Sequence, residues 1–398
     1  MSDFDRIGST PGIMPSQWIV EAIQNGVIQA SPPVTAEQVQ PNSLDLRLDR
    51  VAYRIQCSFL PGAEGVQRKL LRFKWYDIPL VDSGTVLERN QVYLIPLTEQ
   101  LRLPQHISVR ANPKSTTGRL DLFTRLVCEN GNTFDDVPAG YSGRLYLEVV
   151  PRSFAIRVHP GDCLAQMRFQ HGNAQFSDAE TSELMDDTEI VLSHLREPLR
   201  SRDLRISSGI FLSVRLTGDA DATIGFKARQ NTQPIDLRAV GGAPIWQYWE
   251  RIHWRPSAPV ILEPDDFYIF ASRELVRLPP AYCAEMVPFD AGSGEVRTHY
   301  AGFFDSGFGY SRGLPAAQSA GAVVLEIRNR DVAYLIEEGQ PLFRLLLLRT
   351  AAIPELVYGA DASSHYQSQR LRLSKQFRSS DGEAEEAPVD GTQESFAL

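Results

Sequence analysis

Hydrophobic and polar positions alternate along most of this chain in short runs, each cut by proline, glycine, aspartate or asparagine. Ser43-Leu-Asp-Leu-Arg-Leu48 alternates strictly, and Val92-Tyr-Leu-Ile95 and Ala155-Ile-Arg-Val158 are comparable short segments. A period of two sends successive side chains to opposite faces of a strand, so each run predicts a strand closed by a turn. Many such strands at regular spacing predict an all-β architecture of antiparallel barrels or jelly-roll-like sandwiches. One helix is predicted near the start. Ser16 stands where an N-cap would, Trp18, Ile19, Ala22 and Ile23 follow at helical spacing, and Gly26 ends the run. The segment Leu145–Val150 is different: Leu145, Leu147 and Val149 share one face, and Tyr146, Glu148 and Val150 the other. Both faces are apolar, so this strand is expected to be covered on both sides. A carboxylate there is costly unless it is paired or used.

The pattern also repeats. Asn90-Gln-Val-Tyr-Leu-Ile95 is similar to Asp265-Asp-Phe-Tyr-Ile-Phe270, and Leu101-Arg-Leu-Pro104 to Val276-Arg-Leu-Pro279. Leu145-Tyr-Leu-Glu-Val149 matches Val323-Val-Leu-Glu-Ile327, and Gly161-Asp-Cys-Leu164 matches Gly339-Gln-Pro-Leu342. The offset drifts only from 175 to 178 residues over these four blocks, as two tandem copies with a small insertion would give. The predicted organisation is a first β domain over 1–172, an acidic linker over 173–203 and a second β domain over 204–355. An arm, 356–377, and an acidic tail without apolar pattern, 378–398, complete it. Within the linker, Ser177 and Glu180 stand at capping-box spacing and predict one short helix.

The length of 398 residues accommodates two full cores, and 43% apolar with 22% charged residues is ordinary for a globular chain. A net charge of −9 argues against a nucleic-acid partner, although a local basic patch could still hold a small anion. Four scattered cysteines with no C-x-x-C pair suit free thiols. No apolar run is long enough to span a bilayer and the N-terminus lacks a signal-peptide core, so a cytoplasmic location is expected.

Candidate chemistry concentrates in Arg110-Ala-Asn-Pro-Lys-Ser-Thr-Thr-Gly-Arg119. Lys114, Ser115, Thr116 and Arg119 offer charge-assisted and hydroxyl donors suited to phosphate oxygens. Taken alone, the same residues would form a solvated turn, and no upstream glycines make this a Walker A loop. Glu148 reads either as an acid–base group or as a structural carboxylate paired with an arginine.

These residues resemble the 2′-deoxycytidine 5′-triphosphate (dCTP) deaminase family, relatives of the trimeric dUTP diphosphatases. Pro41-Asn-Ser-Leu-Asp-Leu-Arg-Leu48 is similar to the family's early strand. Lys114-Ser-Thr-Thr-Gly-Arg119 resembles its Arg-Ser-Ser-x-x-Arg phosphate signature, with lysine first. Leu147-Glu-Val149 resembles the strand with its catalytic glutamate. Ala301-Gly-Phe-Phe-Asp-Ser-Gly-Phe308 resembles the segment lining base and sugar, and Tyr366-Gln-Ser-Gln369 with Ser374 the closing tail. The second copy lacks the clamp, having Asp290-Ala-Gly-Ser-Gly-Glu295 in its place. The first has Thr133-Phe-Asp-Asp-Val-Pro-Ala-Gly140 where the Ala-Gly-Phe-x-Asp pattern would lie.

The resemblance implies two tandem distorted barrels that convert dCTP to dUTP and ammonia, with Glu148 as general acid–base. Glu326, on the equivalent strand but without a clamp in its copy, is expected to be structural. Phosphates would meet Lys114, Ser115, Thr116 and Arg119; base and sugar would meet Ala301, Phe303, Asp305, Tyr366 and Gln369. Mg2+ is expected with the triphosphate and zinc is not, since no His-x-Glu or Cys-x-x-Cys occurs. A homo-oligomer, in the family manner a trimer, and dTTP as an inhibitor are further expectations. One site could combine the clamp and Glu148 of the first copy with Asp305 and the tail of the second, in the same or an adjacent chain. The alternatives are a dUTP diphosphatase, a bifunctional enzyme releasing dUMP, and a nucleotide-binding regulator without turnover.

Overall fold

The structure, a computed structural model, describes residues 10–219, 222–256, 258–288, 297–298, 302–330, 332–359 and 370–378. Helix α1 (Ser16–Gln24) forms as predicted, but Pro15, not Ser16, is its N-cap. Ser16 is instead buried inside the first turn, where its Oγ accepts the Leu356 N–H at 3.2 Å. Gly26 follows the helix with φ +70°, the left-handed backbone a glycine adopts freely.

The first half is built from two large curled sheets with a smaller three-stranded one beside them. In one, β1 (Leu44–Arg47) and β5 (Ile107–Pro113) flank β9 (Cys163–His171). The other has the order β3 (Lys74–Pro79), β2 (Val51–Ile55), β4 (Tyr93–Arg102), β7 (Ser142–Pro151), β6 (Leu122–Cys128). Between them lie the faces the alternation assigns inward: Leu44 and Leu46, Ile95 and Leu97, and Leu145, Leu147 and Val149 are all buried. The second half curls one large sheet, with a separate two-stranded ladder of Val260–Leu262 and Tyr334–Ile336. Its principal path is β13 (Trp249–His253), β11 (Thr223–Ala228), β14 (Phe267–Val276), β10 (Ile210–Arg215), β18 (Pro341–Arg349), β15 (Tyr282–Pro288) and β16 (Phe303–Phe304). Strand β17 (Gly321–Arg328) adds to β14. The repeat is visible in register: Glu148 pairs with Leu94, and Glu326 pairs with Ile269. Helix α4 (Asp178–Asp187) lies between the halves, with both capping-box bonds of Ser177 and Glu180 present.

The copies differ in one connection. Between β2 and β3 the chain stays on its own half: Val66 and Leu70 of α2 (Val66–Phe73) pack on Tyr146 and cover the outer face of β7. Between β11 and β13 the equivalent stretch crosses over. Its strand β12 (Ile235–Asp236) adds in parallel to β8 (Ile156–Val158), and Ile235, Ile245 and Tyr248 join the first core. Val324, from the outer face of β17, joins that core as well. The two halves are thus pressed together along β17.

A buried ion pair marks the same boundary. Arg328 of β17 reaches Asp121 of the first half through Nε at 3.2 Å and through Nη2, and Ser153 Oγ also faces the guanidinium at 3.1 Å. Asp121 is fully buried. Removing one partner of such a pair strands a charge away from water. Asp121→Asn keeps the shape and removes the charge, and should lower stability by about 3–5 kcal/mol in urea denaturation; an unchanged midpoint would show that Arg328 recovers solvation elsewhere.

Candidate active site

The clamp grows directly out of β5. Lys114 ends the extended backbone, and Ser115–Gly118 form a single helical turn, α3. Thr117 Oγ1 ties that turn to Leu164 O of β9 at 2.8 Å, and Gly118 N–H bonds to Lys114 O at 3.0 Å. With Thr117 and Gly118 facing the core, Lys114, Ser115, Thr116 and Arg119 line one cavity together. Lys114 ion-pairs with Asp45 of β1. Burial is the largest influence and works against its charge, but Asp45, Cys163 and Asp305 together hold the ammonium above the ordinary lysine value. Lys114 therefore enters any phosphate site already neutralised by a carboxylate.

The opposite wall comes from the second half. Phe303, Phe304, Asp305, Phe308, Val324 and Glu326 line the same cavity. Asn112 Oδ1 accepts the Gly302 N–H at 2.6 Å and Asn42 Oδ1 accepts the Ser306 N–H at 2.8 Å, so first-half amides fix the backbone on either side of Phe303–Asp305. Ser43 Oγ donates to Asp305 Oδ2 at 3.3 Å. Glu326 is 2% exposed and stands directly over the clamp. A Cβ added at Gly118 would lie 2.6 Å from Glu326 Cδ, so Gly118 is required by the approach of the carboxylate and not by backbone strain.

The chain's C-terminal segment closes the third side. Ser374 Oγ donates to Thr116 O at 3.0 Å, Arg119 Nη1 donates to Arg372 O at 3.1 Å, and Lys375 lines the cavity. The crossing connection holds this segment through backbone bonds: Gly241 N–H to Lys375 O and Ala243 N–H to Gln376 O, each 3.0 Å. Leu373 and Phe377 anchor it in the first core.

Glu148 is elsewhere. It points from the outer face of β7, is 1% exposed, and receives Arg125 Nε at 3.0 Å across the β6–β7 pair. Arg125 is stacked on Phe134 with its guanidinium carbon 3.7 Å from the ring centroid, and donates to Ser58 Oγ at 2.7 Å. The expectation that Glu148 shares a site with the clamp is therefore corrected. Its face is covered by the first half's own connection, whereas the Glu326 face is turned toward the clamp. Phe303 and Asp305 come together with Lys114, Ser115, Thr116 and Arg119; Ala301, Tyr366 and Gln369 lie outside the described residues. Lys375, of the expected arm, lines the cavity, whereas Asp45, Gln166 and Glu326 are lining residues that sequence reasoning missed as a site. The repeat placed Glu326 on the right strand, but nothing local indicated which copy's face would meet the clamp.

Two family models match consecutively. Residues 10–173 match the N-terminal domain, and residues 177–377 the C-terminal domain, of 2′-deoxycytidine 5′-triphosphate deaminase. The chain belongs to the 2′-deoxycytidine 5′-triphosphate deaminase family. Membership makes it an enzyme of the hydrolytic deaminase class. A solved structure of a 2′-deoxycytidine 5′-triphosphate deaminase from Agrobacterium tumefaciens is 40% identical, with a TM-score of 0.79, covering 86% of this chain and 99% of that one. A dUMP-forming dCTP deaminase of Persephonella marina is 29% identical over 140 residues, 34% of this chain and 72% of that protein. A dCTP deaminase of Aeropyrum pernix is 29% identical over 142 residues, 35% of this chain and 69% of that protein.

In this deaminase Asp135, in the first copy's counterpart of Ala301–Phe308, is tied to the backbone of β6. Burial, the dominant cause, pushes Asp135 from 3.8 up to about 7, against the Leu126 N–H that its carboxylate accepts at 2.7 Å. The folded state then holds a proton that the unfolded state has released. This contribution is full below pH 3.8 and is lost as pH rises through about 7. Asp135→Asn should flatten that decline in thermal midpoint; an identical pH profile in the variant would refute the assignment. At the cavity itself, Gly118→Ala should displace the Glu326 carboxylate, lowering kcat at least about tenfold while the helical turn tolerates the methyl group. A variant with wild-type kcat would remove Glu326 from the reacting centre.

Proposed function

We propose that the chain hydrolytically deaminates dCTP to dUTP and ammonia at one composite cavity per chain, with Glu326 as the proton shuttle. The observation that carries this reading is the placement of the Glu326 carboxylate against Gly118, inside the cavity lined by Lys114, Ser115, Thr116 and Arg119. Deamination adds water to C4 of the cytosine. Glu326 takes a proton from that water as the C–O bond forms and gives it to N3, producing a neutral tetrahedral adduct. The same carboxylate then carries the hydroxyl proton to the amine nitrogen, the C4–N bond breaks, and ammonia leaves a carbonyl behind. One group suffices because each proton is taken and returned on the same side of the ring.

Phe303, Phe304, Phe308 and Val324 give the base an apolar wall, and Asp305 is placed to accept a hydrogen bond from the deoxyribose hydroxyl. Lys114, Arg119 and Lys375 meet the phosphates, with Ser115 and Thr116 supplying hydroxyls. Mg2+ bound to the triphosphate would offset its charge. The cavity carboxylate Glu37 is an oxygen donor of the kind the ion takes, and the chemistry at C4 is assigned to Glu326 without zinc. A second reading, release of dUMP and diphosphate, is favoured by the dUMP-forming activity in the name of the Persephonella marina relative and by Asp45, a second cavity carboxylate beside Lys114.

Incubation with dCTP and magnesium, with ammonia and nucleotides followed separately, distinguishes these readings. Ammonia with dUTP supports the principal reading, ammonia with dUMP the second, and binding without turnover leaves a regulator. Glu326→Gln should reduce ammonia release by about 10²–10⁴-fold with nucleotide binding retained, whereas Glu148→Gln should turn over. The reverse pattern would return the shuttle to Glu148.

A further inference from the structure

Arg168, on β9 of the first half, does not line the cavity but stands directly behind two residues that do. Its side chain is 1% exposed. Nη1 donates to Ala284 O at 2.8 Å, Nη2 donates to Asp305 Oδ1 at 2.7 Å, and the guanidinium carbon lies 4.1 Å from the Phe303 ring centroid. One planar group thus fixes a second-half backbone carbonyl, one oxygen of a cavity carboxylate and the plane of a cavity aromatic. Ser43 Oγ shares its single proton between Asp305 Oδ2 at 3.3 Å and Gln166 Oε1 at 3.1 Å, so Arg168 is the principal first-half partner of Asp305.

Stability alone is a poor account of this arrangement. A buried arginine–carboxylate pair contributes little net stability compared with apolar side chains of the same volume, because desolvating both charges offsets their attraction. What such a pair supplies is direction. A guanidinium presents its donors in a rigid plane and can stack at the same time, whereas a lysine ammonium has neither the fork nor the face.

We infer that Arg168 is a positioning residue for nucleotide selection: it locks the Asp305 carboxylate and the Phe303 ring in the orientation that receives a sugar carrying a 3′-hydroxyl. This rests on the reading of Asp305 as the sugar ligand. Arg168 acts only through Asp305 and Phe303 and touches no reacting atom. Its loss therefore acts on the preference for dCTP over a nucleotide without the hydroxyl, more than on the deamination step.

The test compares kcat and KM for dCTP and for 2′,3′-dideoxycytidine triphosphate in the wild type, Asp305→Asn, Arg168→Lys and Arg168→Gln. Thermal midpoints are measured alongside, so that a lost fold is not taken for a lost preference. Arg168→Gln keeps a donor for Ala284 O and serves if the lysine variant is unstable. The expected result is that Asp305→Asn and the Arg168 variants each reduce the dCTP preference, by roughly tenfold or more for a weakened hydrogen bond to a charged group, chiefly through KM for dCTP. If Asp305→Asn loses the preference but both folded Arg168 variants keep it, the positioning role is overturned. If Asp305→Asn itself keeps the preference, the sugar reading fails, and the inference about Arg168 fails with it.

Discussion

A carboxylate in the middle of a strand that is covered on both faces has to be compensated, and the two copies of this fold set theirs in different surroundings. Glu148 is compensated by a cross-strand arginine that is itself stacked on an aromatic ring. Glu326 is turned into a polar cavity whose lining includes Lys114, Ser115, Thr116 and Arg119. The register of the two strands is the same, so the difference does not arise in the sheets. It comes from what each outer face is pressed against.

That choice is made by a single connection. Where the chain between two sheet strands folds back on its own half, it roofs the outer face and leaves no room for a substrate. Where the equivalent stretch crosses to the other half, it exposes the outer face of β17 to the clamp, extends the first half's sheet by β12, and provides a backbone track for the C-terminal segment. The crossing also lengthens the shared core, with Ile235, Ile245, Tyr248 and Val324 buried among first-half residues.

Most of the architecture was legible because it depends on local periodicity. The alternation of Ser43–Leu48, the doubly apolar run around Glu148, the capping box at Ser177 and the four repeated blocks all report short-range constraints, and each has its counterpart in the fold. The clamp was legible as chemistry for the same reason: its donors lie within six consecutive residues, Lys114–Arg119. The partner of the clamp was not. Glu148 and Glu326 occupy equivalent positions on equivalent strands, and only the long-range packing of β17 against α3 separates them. Ser16 failed as a cap because a tertiary contact with Leu356 claimed its hydroxyl, and Arg168 was invisible because the value of a buried arginine depends on what lies across an interface.

The cavity's wall and its cover come from opposite ends of the chain: Ser374 bonds to Thr116 across 258 residues. During synthesis, the first half brings the clamp and the second adds Glu326 and Asp305, while the third side is still missing. No nascent chain holds the closed site before residue 378 has emerged from the ribosome. Closure of the cavity therefore depends on residues 372–377, and losing them would uncover the clamp and also take Leu373 and Phe377 out of the first core.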